Sequence, residues 1–105
     1  MAKAAKPPKA YEKFMRRYPK LGEAWESMRA AEEVGPLDEK TARLVKLGVA
    51  IGSAREGAVH SAVRKAVAAG ATRQEVEQII ALAASTIGLP TTVAMYTWVQ
   101  ETLGQ

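Results

Sequence analysis

The chain has 105 residues, 48% of them hydrophobic but only 6% aromatic, and carries no cysteine and a formal charge of +4. It is one small domain at most, too apolar for a disordered chain and rich in the alanine that favours close-packed helices over a sheet. Without cysteine there is no disulfide, no thiolate nucleophile and no thiolate metal site, which excludes thiol peroxidase chemistry.

The charge is unevenly spread. Residues 1–20 hold seven basic side chains (Lys3, Lys6, Lys9, Lys13, Arg16, Arg17 and Lys20) against Glu12, a local charge of +6, and the remainder carries −2. Residues 1–8, with Pro7–Pro8, read as a flexible basic leader, and 9–105 as one helical domain. A basic arm can bind nucleic acid, but no aromatic platform accompanies it, so it reads as a solubilising end and no nucleic-acid partner is expected. No apolar signal region follows Met1 and no apolar run approaches ~18 residues, so no membrane association is expected, and a cytoplasmic setting is.

In chain order, helix one is predicted from about Pro8 to Tyr18, with Tyr11, Phe14, Met15 and Tyr18 as its apolar stripe. Pro19 ends it and opens helix two, which runs to about Glu33 with Leu21, Trp25 and Met28 on one side and stops at Gly35–Pro36. Asp38 is a good N-cap for helix three, whose buried stripe is Leu44, Leu47, Gly48 and Ile51. Gly48 in mid-helix suggests a close approach by another helix. The break falls at Gly52–Arg55. Helix four then covers about Arg55 to Ala69, with Val59, Val63, Ala66 and Val67 as its apolar face.

Gly70 stops helix four, and Thr72-Arg73-Gln74-Glu75 is a capping box for helix five. Behind it Val76, Ile79, Ile80, Ala83 and Ile87 make a wide core stripe. Gly88-Leu89-Pro90 breaks the chain again. Helix six carries Val93, Tyr96, Trp98, Val99 and Leu103, and strand-like alternation is absent throughout.

Lys40–Gly70, with the Gly70-Ala71-Thr72 start of helix five and the Gly-Leu-Pro joint, resembles the carboxymuconolactone decarboxylase and alkylhydroperoxidase D family over about Asp38 to Leu103. The resemblance implies an all-α, alkylhydroperoxidase D-like fold, a compact bundle of about six helices around a central helix hairpin. It also implies homo-trimers or homo-hexamers. A gapless match places the family's cysteine pair at Arg55 and Ala58, its motif histidine at Ala62, the histidine between the cysteines at Gly57, and a glutamate one helix earlier at Arg43. None of these residues can do the family's redox work. The decarboxylase Glu-x-x-x-His pair falls on Ala58 and Ala62.

Glu56 and His60 keep that i, i+4 spacing two residues earlier, which turns them by about 200° around the helix. A carboxylate beside an imidazole suits proton transfer, and Arg43 and Arg55, with Lys46 and Arg64, could bind a carboxylate substrate. Such a pair is more often a routine helix contact, and charges spaced along helices are usually solvated. A metal would need a third ligand from another subunit, so no metal and no cofactor are expected. Ser53, Ser61, Ser85 and Thr86 have no base nearby other than His60. Two function classes follow. One is a catalytically silent, self-assembling module, natural or engineered, favoured by the small face of Ala58, Ala62 and Ala66. The other is a cofactor-free decarboxylase-like enzyme that uses Glu56 and His60 on a small carboxylated lactone or carbonyl compound.

Overall fold

A computed structural model of the protein describes residues 9–104; the leader expected at 1–8 and Gln105 lie outside them. The described residues form six helices and no strand: α1 (Lys9–Arg17), α2 (Pro19–Glu32), α3 (Glu39–Ser53), α4 (Glu56–Ala68), α5 (Arg73–Ile87) and α6 (Leu89–Leu103). None is long and apolar enough to cross a membrane. They divide into two compact units, 9–37 and 38–104.

In the first unit α1 and α2 pack on each other but bury no residue. Pro19 opens α2, and the Tyr18 carbonyl accepts from Leu21 and Gly22. Gly22 lies against Met15, where an added Cβ would sit 3.4 Å from the thioether sulfur. Of the expected stripes, Tyr11, Met15 and Trp25 are half-buried, whereas Phe14, Tyr18, Leu21 and Met28 are exposed. The Phe14 and Tyr18 rings contact each other at 5.1 Å.

The second unit is a four-helix bundle in which α3 and α6 occupy opposite corners, each packed on both α4 and α5. Its core combines Leu47, Ala50 and Ile51 of α3, Val59, Val63 and Ala66 of α4, Val76 and Ile80 of α5, and Met95 and Val99 of α6. The amphipathic spacing of α3, α4 and α5 aims these side chains at one another, and their burial is the main stabilising term. One expectation fails at the edge of a stripe: Val67 is exposed. On α6, for which no stripe is expected, the buried row is Thr92, Met95 and Val99, with Val93 and Tyr96 turned outward. Pro90 stands at the second position of α6, and polar Thr92 fits in the buried row because its hydroxyl donates to the Gly88 carbonyl at 2.8 Å.

Capping fixes the helix starts. The Asp38 carboxylate accepts from the Thr41 amide at 2.7 Å, and the Thr41 hydroxyl and amide hold the Asp38 carboxyl below its ordinary range. Thr72 and Glu75 complete the capping box, the Thr72 hydroxyl accepting from the Glu75 amide and the Glu75 carboxylate from the Thr72 amide. The Thr72 amide, followed by the Lys40 ammonium at 3.0 Å, lowers the Glu75 carboxyl. Lys40 thereby ties the start of α3 to the start of α5.

The joint between α3 and α4 differs from expectation in detail. Gly52 is still helical, and the turn is made by Ala54 in the left-handed region at φ 55°. An alanine there costs about 1 kcal/mol, which the packing on either side sustains. Gly48 also departs from its reading. A Cβ added there would meet Ile79 at 3.7 Å, an ordinary contact, so α5 passes nearby without requiring glycine.

Candidate functional site

His60 sits on the second turn of α4, on the side that packs against α6. Its side chain is 23% exposed and is held by three residues. Nδ1 contacts the Thr102 hydroxyl, 42 residues further along the chain. Nε2 lies 3.2 Å from Glu56 Oε2, one turn earlier on α4, and 3.7 Å from Glu101 Oε1 on α6. The ring therefore spans two helices, and a purely local helix pair is too small a description of it.

The Thr102 hydroxyl has one hydrogen, which it donates to the Trp98 carbonyl at 3.2 Å. In that orientation its oxygen accepts from Nδ1–H of His60 and the lone pair of a neutral ring falls on Nε2; with the hydroxyl turned to Nδ1, the ring proton sits on Nε2 and faces the carboxylates. Threonine's habit of bonding to a carbonyl four residues back makes the first orientation a local property of α6. The imidazole is locked at one nitrogen, and the other faces two carboxylates.

The two arginines expected at the site do not join it. Arg43 is half-buried on α3, with Nε 3.6 Å from Glu39 one turn earlier on the same helix. Arg55 is the extended N-cap residue of α4 and is exposed; its carbonyl accepts from the Val59 amide. Among the described residues neither guanidinium bonds to His60 or Glu56. Of the family's site positions, Ala58 is exposed and Ala62 packs against the core, so that surface is filled by methyl groups.

Glu101 and Thr102 were missed by sequence reading. They are unremarkable polar residues on the last turn of α6, and only the register of α6 on α4 brings them to His60. With Glu101 in place, the third metal-competent donor that the sequence reading sought on another subunit is present in the same chain. One oxygen of Glu56, Nε2 of His60 and one oxygen of Glu101 all lie within 4.8 Å of one another.

A sequence model of the carboxymuconolactone decarboxylase family matches residues 19–101. Comparison with curated proteins and with solved structures gives no significant match.

Proposed function

The chain belongs to the carboxymuconolactone decarboxylase family, and from that premise we propose a cysteine-free, homo-oligomeric member whose role is assembly, the family's own site being silent. The observation that carries this is the apolar surface of the four-helix unit. Val45, Val49, Leu82, Leu89, Val93 and Tyr96, on three helices packed in succession, are each 48–68% exposed. Residues 79–100 contain no aspartate, glutamate, lysine or arginine. A charged partner gains nothing from such a surface, whereas a second copy presenting the same residues covers it in kind. The methyl-lined positions Ala58 and Ala62 support silence at the family's site. Trimers or hexamers, and a cytoplasmic setting, are part of the same reading.

Sedimentation velocity at micromolar concentration tests it. A stable oligomer that Val93→Glu dissociates is the expected result, and a wild-type monomer rules assembly out.

A second reading has an observation of its own. With Nδ1 against Thr102, Nε2 of His60 stands between Glu56 and Glu101, where it could pass a proton to or from a bound compound, as a cofactor-free enzyme on a small carboxylated lactone or carbonyl compound would require. Arg43 or Arg55 would then have to turn towards the carboxylate. Displacement of the His60 ring resonances on adding such a compound would favour this reading over silence, and unmoved resonances across a panel of carboxylates would dismiss it.

A further inference from the structure

Independently of assembly, we propose that Glu56, His60 and Glu101 form a site for a divalent transition-metal ion, Zn²⁺ by ligand type. The reasoning starts from protons. When Thr102 donates its only hydrogen to the Trp98 carbonyl, it accepts the Nδ1 hydrogen of His60. In that tautomer an imidazole lone pair faces two carboxylate oxygens between α4 and α6, at 3.2 Å and 3.7 Å. With the lone pair on Nε2, three acceptors converge on one point, an arrangement suited to a cation.

The spacing suits the metal. A tetrahedral ion bound at about 2.0–2.2 Å by nitrogen and oxygen holds its ligand atoms roughly 3.3–3.6 Å apart. The two histidine–carboxylate separations are within a few tenths of an ångström of that range, and the carboxylate oxygens lie within 4.8 Å of each other, close enough for rotation of a side chain to bring them to the same ion. The surroundings suit it as well. A ligating histidine characteristically donates its other ring N–H to a fixed acceptor, and Thr102 is that acceptor. One imidazole with two carboxylates favours zinc, cobalt or nickel over calcium or magnesium, which take oxygen donors alone. Two negative charges match the dication. Both carboxylates are more than half exposed, which leaves an entry path and a fourth position for water or a ligand.

The test uses the full chain without a histidine tag, stripped with EDTA and then titrated with Zn²⁺ by calorimetry and with Co²⁺ by visible absorption. One ion per chain, four- or five-coordinate cobalt bands, and a zinc-dependent shift of the ¹⁵Nε2 resonance with Nδ1–H retained are expected. His60→Ala removes binding, and Glu101→Gln weakens it at least tenfold. Thr102→Val keeps all three ligands but weakens binding by about tenfold, the usual loss for an orienting partner. No heat and no cobalt bands up to millimolar ion would overturn the proposal. So would binding whose affinity is the same in His60→Ala, which would be adventitious. If His60→Ala does not fold, the Nε2 resonance of the unsubstituted chain decides alone. Oligomeric state measured in EDTA and in zinc separates this result from that of the assembly reading.

Discussion

The last turn of α6 is tied to its two neighbours by two polar clusters of opposite character. On the α5 side, Arg73 donates to Gln100 at 2.7 Å and to the Leu103 carbonyl at 3.1 Å, while Gln100 donates to Glu77 at 2.7 Å. Both donor groups there meet acceptors, and the guanidinium caps a carbonyl that the end of a helix leaves without a partner. On the α4 side, Glu101 and Thr102 meet His60 and Glu56, and acceptors outnumber donors. The first arrangement is complete by itself, as a structural tie should be. The second leaves carboxylate oxygens open to water or to a cation. Adjacent residues on one helical turn thus make two different kinds of tie, one rich in donors and the other rich in carboxylate acceptors.

The comparison can be broken most strongly at Arg73. Arg73→Ala orphans the Leu103 carbonyl and releases Gln100, and it should cost about 1–2 kcal/mol, the scale of hydrogen bonds to a charged group reduced for partial exposure. Urea unfolding should show a lower midpoint at unchanged slope, and metal response should be unaltered. A loss below about 0.3 kcal/mol would mean that the α5 side is not a structural tie.

His60→Ala should cost less, about 0.5–1 kcal/mol without metal, because only the Thr102 contact is well covered and the two carboxylates are mostly solvated. Glu101→Gln should change metal-free stability by no more than ~0.5 kcal/mol in either direction. If His60→Ala proves as damaging as Arg73→Ala, the two clusters are alike and the contrast fails.

Gly48→Ala lies away from both clusters and sharpens the scale. The space beside Ile79 accepts a methyl group, so the substitution should stabilise the protein by about 0.5 kcal/mol through helix propensity, read as a raised melting temperature. A destabilised variant would show that α5 does crowd this position.

The smallest effects come from the caps, whose carboxyls are exposed. Asp38 and Glu75 are both lowered by hydrogen bonds that the folded state supplies. Their contribution is therefore complete above the unfolded carboxylate range of about pH 4, and is lost as the pH falls through the lower folded values. Asp38→Asn and Glu75→Gln should each flatten the acid limb of a stability–pH curve and leave its neutral region parallel to that of the unsubstituted chain. An unchanged acid limb would contradict the cap assignment.

Sequence reading was strongest where structure is decided within a few residues. The Thr72–Glu75 box, the Asp38 cap and the prolines at the starts of α2 and α6 are local chemistry, and helical periodicity identified most of the core on α3 to α5. It was weaker on α6, where apolar residues lie on every side and periodicity cannot choose between the Met95–Val99 face and the Val93–Tyr96 face. Ala54 carries no mark of its left-handed turn, because neighbouring glycines attract that expectation. At the candidate site, Glu56 and His60 are visible as a spacing on one helix. Glu101 and Thr102 are not, since their role depends on how α6 lies along α4, a relation between residues more than forty positions apart.

The position of these ties at the end of a helix has a dynamic consequence. Terminal turns open more readily than the middle of a bundle, and α6 ends just beyond these residues, at Gly104 in the left-handed region. Gln100, Glu101, Thr102 and the Leu103 carbonyl leave their partners together when that turn frays, so one local opening dissolves both clusters. An ion held between α4 and α6 would act as a clasp on that opening. It would be felt as slower amide hydrogen exchange in the last turn of α6 and in the first turns of α4, with little change at the buried centre of the bundle.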